Sequence, residues 1–311
     1  MPDLSVIVPG RREMFMAQTI SNILQNARGD TEVIAICDEV WPDPPLVDHP
    51  KLTVLHSMTP VGQRGGFNQG ARISRAKYVM KLDAHSAVDE GFDLKLMAPY
   101  EDGRLTWADT TIPRMYNLHG FDWKCKDCGW NCYQGPHPKV CTKCGKTNLF
   151  MDIIWKPRLS RRTDYARFDS TMHFQYWQQY EKRHPEEAKQ EISDVLSSVG
   201  ACFFMRRDRF WAIGGLDEAH GGQTGWGQFG TEISCKSWLS GGRQVVNKTT
   251  WFSHMFRTRQ DFSFPYRISG NEQDRAREYS RNIWLKDGWP KAKRPLKWLI
   301  DKFAPVPGWE S

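Results

Sequence analysis

In YVMKLDAHSAVDEGF, residues 78–92, an apolar run stops at Asp83 and a histidine follows two positions later. Residues two apart on an extended segment point the same way, so Asp83 and His85 can face one ion together. A carboxylate beside an imidazole suits manganese better than calcium, and such an ion can hold a diphosphate and neutralise its charge as it departs. The plainer alternative is an ordinary turn with a polar Asp and a surface His. Upstream, residues 4–9, 31–37 and 51–56 read as buried strands, with 78–83 as the fourth. Residues 12–27 read as a helix, with apolar side chains at Met16, Ile20, Ile23, Leu24 and Ala27. Between the third and fourth strands, GQRGGFNQGARISRA (residues 62–76) reads as a Gly-rich turn opening a helix near Phe67. Strands alternating with helices predict a parallel sheet with helices on its faces. Ligands of such sheets gather beyond the carboxyl ends of the strands. Asp38, Glu39, Asp83 and His85 all fall at such ends.

The 311 residues suffice for one substantial core, or for a core with a small accessory module. With 40% apolar and 25% charged residues the chain has an ordinary folded profile, not a disordered one. No apolar run approaches the roughly 18 residues of a spanning helix. The opening MPDLSVIVPG goes straight into a strand without a leader, so the expected location is the cytoplasm, that of the bacterial host if the chain is phage-encoded. A net charge of +7 hints at a phosphate-bearing partner, and a nucleotide donor alone accounts for some of it. Neither GxGxxG nor GxxxxGK[ST] is present, so dehydrogenase and P-loop kinase readings lose ground.

Four of the eight cysteines form two short pairs, Cys125 with Cys128 and Cys141 with Cys144. Thiolates at this spacing share one tetrahedral zinc, and the glycine after each pair, Gly129 and Gly145, suits the turn. Disulfides are the competing reading, and a cytosolic setting argues against them. A closed four-Cys shell is structural and not catalytic. Cys132 is a spare, and Cys37, Cys202 and Cys235 sit in apolar runs as expected core thiols.

Three blocks, LSVIVPGRREMFMAQTISNIL, EVIAICDE and GGFNQGARISRAKYVMKLDAH, resemble the family 2 glycosyltransferases with the A-type nucleotide-sugar fold. More narrowly, KLDAHSAVDEGF, SVGACFFMRRDRFWAIGGLDE, GWGQFGTEISCKSWLSGG and WFSHMFR resemble the catalytic domain of polypeptide N-acetylgalactosaminyltransferases. The resemblance implies an α/β fold of mixed sheet and flanking helices. It assigns residues 1–120 and 151–270 to the catalytic domain, leaving 121–150 as a zinc-ribbon insertion and 271–311 as a basic, Trp-rich tail. It implies a UDP-sugar donor and a manganese (or magnesium) ion on Asp83, His85 and His254. Donor contacts would come from Pro9, from Asp38 or Glu39 at the uridine, and from Arg64 and Asn68 near the ribose or phosphates. For the last two, a solvated loop residue and a helix cap are the alternatives. On the reacting side it points to Trp226, Asp217 and Glu232. The relatives' Trp-Gly-Gly-Glu-Asn reads here Trp226, Gly227, Gln228, Phe229, Gly230, so Phe229 stands in the acidic slot. Glu232 either acts at the sugar in its place or is a helix residue favoured by the dipole. Asp217 either lies near the acceptor or caps a turn.

For the acceptor, the C-terminal RAREYSRNIWLKDGWPKAKRPLKWLIDKF interleaves Lys and Arg with Trp, as a strand-tracking, base-stacking segment would. The favoured acceptor is a hydroxymethylated pyrimidine in DNA, as for some bacteriophage enzymes, with the base flipped out of the duplex. Protein Ser or Thr is the alternative that the narrower resemblance suggests. An inactive nucleic-acid-binding module is the third reading, to which Phe229 lends weight. A Trp-rich tail packed on the core is the plainer view of the same segment. No membrane partner is expected, and the stereochemistry is open.

Overall fold

A computed structural model describes residues 1–220, 227–257 and 270–309. The chain starts with β1 (Leu4–Gly10), α1 (Met16–Asn26), β2 (Thr31–Asp38), β3 (Leu52–Ser57), α2 (Gly62–Ile73) and β4 (Tyr78–Leu82). The order β3-β2-β1-β4 is parallel throughout. β1, β2 and β4 are buried almost residue for residue, which is why their sequences run apolar without alternation. Helix α2 starts at Gly62, well before the expected Phe67. The glycines that suggested a turn lie within the helix and let it approach the sheet. A Cβ on Gly66 would press on Pro9 and Ile36, and one on Gly70 would come within 2.6 Å of Ile7.

Next come β5 (Ser86–Val88), α3 (Phe92–Glu101) and the long β6 (Thr110–Cys125). β7 (Asn131–Tyr133) and β8 (Leu149–Thr163) pair with the outer part of β6, and together they make an arm. β9 (Ala166–Phe168) and β10 (Phe174–Tyr176) form a separate hairpin, followed by α4 (Gln178–Arg183), α5 (Pro185–Lys189) and β11 (Ile192–Asp194). β12 (Cys202–Arg206), α6 (Arg207–Ala212), α7 (Phe229–Leu239) and β13 (Gln244–His254) complete the sheet. Its full order is β11-β13-β6-β12-β4-β1-β2-β3, with β12 antiparallel to both β4 and β6. The purely parallel expectation therefore covers only the N-terminal half. The mixed sheet with flanking helices is the architecture the resemblance implies.

Helix α8 (Gly270–Ser280), a π-helical turn (Arg281–Leu285) and α9 (Leu296–Lys302) close the chain. Trp284, Leu296, Leu299 and Phe303 bury themselves with Trp177 and Trp238 in a second core behind β13. The C-terminal segment is thus a packed element, with Arg294 stacked on Trp298 at 4.2 Å. Its buried rings are spent on the core, the plainer of the two roles expected of them, and are not a stacking platform for bases. No helix among the described residues is long and apolar enough to cross a membrane.

Candidate active site

Strand β4 ends at Leu82, and Asp83 and His85 follow where the chain turns into β5. β5 pairs antiparallel with the end of β13, setting Ser86 opposite His254, and the Met255 N–H donates to His85 O at 3.1 Å. This pairing joins ligand atoms from distant parts of the chain. His85 Nε2 and His254 Nε2 stand 3.0 Å apart, and His254 Nε2 lies 3.2 Å from Asp83 Oδ2. Neighbouring ligands on an octahedral ion at about 2.1 Å stand roughly 3.0 Å apart, which these separations match. Two imidazole nitrogens aimed at one another repel unless a proton or a cation lies between them. The donor set therefore fits a divalent ion.

The surroundings prepare each ligand. His85 Nδ1 faces Glu13 Oε2 at 3.0 Å, and Arg257 Nη2 donates to both oxygens of Glu13 at 2.6 and 2.7 Å. A carboxylate on Nδ1 leaves Nε2 free to ligate. Burial opposes ionisation of Glu13, but His85 and Arg257 outweigh it and hold the carboxyl below its ordinary range. Burial likewise disfavours the Asp83 charge. The Lys81 ammonium bonded to Oδ1, with help from His254, reverses this and keeps Asp83 far below the usual carboxylate range. Lys81 also donates to Gly200 O at 2.9 Å. Burial pushes His254 down to about 4, so the imidazole stays neutral, as a ligand must.

Above the triad opens a cleft of about 450 Å³, within the range of small-molecule sites. It lies at the carboxyl ends of β1, β2 and β4, as expected of such sheets. Pro9 and Asp38 line it with Arg11 and Gln63, and Arg277 of α8 faces it from across. Asp38 accepts from the N–H groups of Val61 and Gly62 at the start of α2, at 2.7 and 3.1 Å, and pairs with Arg11. Glu39, the other candidate for that contact, is exposed, has a left-handed φ of 70° and does not line the cleft.

Four expected site residues are placed elsewhere. Glu232 is wholly buried in α7, where Arg64 Nε, Lys236 Nζ and the Asp217 N–H each donate to it at 2.7 Å. It is fully buried and does not line the cleft, so its role at the reacting centre is corrected to that of an internal ion-pair hub. Arg64 is absorbed by the same hub and by the carbonyls of His220 and Gly227, and so is withdrawn from the phosphates. Asn68 grips Leu216 O and Glu218 instead of a ribose. Asp217 caps a turn through the Ala219 N–H and receives the Tyr279 hydroxyl at 2.7 Å, the plainer of its two readings. Trp226 lies outside the described residues. Phe229 opens α7 with its ring on the cleft, and Arg64 and Lys81 lie 4.1 and 4.8 Å from its centre. Glu13 and Lys81 escaped the sequence reading; position at a strand end was the one signal for Glu13, and Lys81 looked like a strand residue.

At the tip of the arm, Cys125, Cys128, Cys141 and Cys144 bring their sulfurs within 4.8 Å of one another. The Cys125–Cys144 and Cys128–Cys141 separations are 3.7 and 3.6 Å. A tetrahedron of sulfurs 2.3 Å from zinc has edges of about 3.8 Å, whereas a disulfide would need about 2.0 Å. Gly129 and Gly145 take φ of 68° and 72° in the knuckle turns. Cys132 is exposed and lies outside the cluster.

A mixed sheet carrying an Asp-x-His turn beside a cleft at its strand ends is the architecture of A-type nucleotide-sugar transferases. The model of Glycosyl transferase family 2 matches residues 5–214, and the chain belongs to that family. It is 22% identical over 289 residues to a putative polypeptide N-acetylgalactosaminyltransferase 13 of Drosophila melanogaster, covering 85% of this chain and 43% of that one. It is 33% identical over 99 residues to polypeptide N-acetylgalactosaminyltransferase 10 of Mus musculus, covering 30% of this chain and 16% of the relative. Its fold matches the crystal structure of GalNAc-T7 with UDP, GalNAc and Mn2+ at a TM-score of 0.64 and 17% identity, over 97% of this chain and 57% of that one. The chain thus spans only about half the length of these relatives, or less.

Proposed function

We propose that this protein transfers a sugar from a UDP-sugar to a hydroxyl group of a macromolecule, with a divalent ion held by Asp83, His85 and His254. The single observation that carries the reading is the convergence of one carboxylate and two facing imidazoles at octahedral spacing on the floor of the cleft. Bound there, Mn2+ (or Mg2+) supplies charge neutralisation for the departing diphosphate. Glu13 orients His85 for that task, and Lys81 holds the far oxygen of Asp83. Asp38 and Pro9 line the cleft, and in this reading Asp38 would meet the uracil ring. Zinc on the four cysteines would brace the arm tip, and unoxidised thiolates suit a cytoplasm.

For the acceptor we favour a 5-hydroxymethylpyrimidine in DNA, as in phage-type DNA modification, supported by the excess of positive charge. The second reading is a protein Ser or Thr, favoured by the similarity to polypeptide N-acetylgalactosaminyltransferases. An inactive binding module would have no use for the ligand triad. Release of UDP from UDP-sugars tests the chemistry. Manganese should be needed, and Asp83→Ala and His254→Ala should each lower the rate by about 10²–10³-fold or more. Metal-independent turnover surviving in both variants would refute the proposal. Labelled donor offered to hydroxymethylated duplex and to a Ser/Thr peptide library separates the acceptors.

A further inference from the structure

The arm is one of two strongly basic stretches of the chain, the other being residues 275–303, where nine Lys and Arg also face three acids. Between residues 121 and 163 nine Lys and Arg face three Asp, a balance of +6 against +7 for the whole protein. Zinc on four thiolates would take two units from that balance and leave it strongly basic. Three of the nine are paired, Lys124 with Asp152, Lys146 with Asp127 and Arg162 with Glu181. Lys126, Lys139, Lys143, Lys156, Arg158 and Arg161 have no ion-pair partner among the described residues. All but the half-buried Arg158 are exposed.

The geometry of the arm is equally specific. Strand β6 pairs Asn117 with His254 at the metal triad and then runs to the first zinc knuckle at Cys125. Eight steps at about 3.3 Å place that knuckle roughly 26 Å from the cleft floor. Duplex DNA presents one negative charge per about 1.7 Å of its axis, so the arm is long enough to follow much of one helical turn. On β8, Lys156 and Arg158 share a face, opposite His119 and Asn117 of β6. There Tyr133 is 42% exposed and lies between the His119 ring at 4.7 Å and the Arg158 guanidinium at 4.8 Å. Beyond β6, β8 makes no other strand pair among the described residues, so its outer edge offers main-chain N–H groups as well. Phosphate contacts use such N–H groups as well as Lys and Arg.

We infer that this basic arm, residues 121–163, holds the phosphate backbone of a nucleic-acid strand and leads it to the metal-bearing cleft. The inference rests on DNA as the acceptor and assigns it a docking surface on the arm; the C-terminal segment packs Trp284 into the core but keeps Lys291, Lys293 and Lys297 exposed. Its test uses the full chain loaded with zinc and manganese and a duplex of about 20 base pairs without hydroxymethyl groups. Fluorescence anisotropy should give an affinity that falls steeply with salt. The charge reversal K156E/R158E/R161E should weaken binding at least 100-fold and reduce the logarithmic salt slope by about 3, near one for each phosphate no longer neutralised. Its neutral counterpart, K156Q/R158Q/R161Q, should fall between the two. Manganese-dependent UDP release should be unchanged in both, which also shows that they fold. Binding that is undiminished in both variants overturns the inference. So does polyglutamate of equal charge competing as well as the duplex, which would point to an acidic protein partner. Transfer to peptides alone would remove the DNA acceptor reading. Duplex binding that still fails in the reversed variant would nonetheless assign the arm.

Discussion

Glu13 stands one step behind the candidate ion site, facing His85 Nδ1 while Arg257 balances its charge. Glu13→Gln keeps the shape and loses the charge. Manganese affinity, read by calorimetry, should fall about 10–100-fold, the usual cost of an outer partner of a ligating histidine. Glu232 makes a different prediction. Burial alone would raise its carboxyl, but Lys236 and Arg64 hold it at about 2 against an ordinary 4.5. Its stabilising share is complete above about pH 4.5 and is lost as pH falls towards 2. His220 is pushed down to about 4, first by burial and then by Arg64, so its share is complete above about 6.5 and is lost as pH falls towards 4. Melting temperature should therefore decline steadily below pH 6.5. Glu232→Gln should cost about 3–5 kcal/mol at neutral pH and flatten the limb below 4.5; an unchanged limb would remove Glu232 from the hub. Asp83 and His85 were legible because two-residue spacing at a strand end is local information. His254 was legible only through its motif. Glu13, Lys81 and the burial of Glu232 were not, because each depends on what the fold brings beside it.

At the scale of elements, α2 shows how composition misleads. Its glycines signal a turn by propensity, yet they mark the face on which helix and sheet backbones approach. Gly70→Ala should gain about 1 kcal/mol of helix propensity and lose about 1–3 kcal/mol by crowding Ile7. Urea denaturation should show net destabilisation, and a net gain would mean that Ile7 yields. The first four parallel strands were readable from their unbroken apolar runs. β12 and β13 were not, since nothing in their own residues says that one runs antiparallel and the other parallel to β6. The C-terminal helices carry both Trp and Lys, and only packing decides that the rings face inward.

At the scale of the molecule, two groups of side chains able to hold a metal lie apart, one on the cleft floor and one at the arm tip. One zinc per chain is expected, and Cys125→Ser should abolish it. Strand β6 is shared by both regions, but its inner part is fixed by β12 and β13. UDP release in Cys125→Ser should therefore stay within about twofold of the parent, and a collapse of activity would show the arm to be integral to the cleft. The grouping of the four cysteines was plain from spacing alone, whereas the link between the arm and the triad emerged only once β6 was seen to run from one to the other. The pairing of β5 with β13 also bears on biogenesis. A ribosome-bound polypeptide that has emerged only as far as β12 presents Asp83 and His85 but lacks the third grip. Capture of a divalent ion by all three ligands would have to wait until translation has passed residue 254.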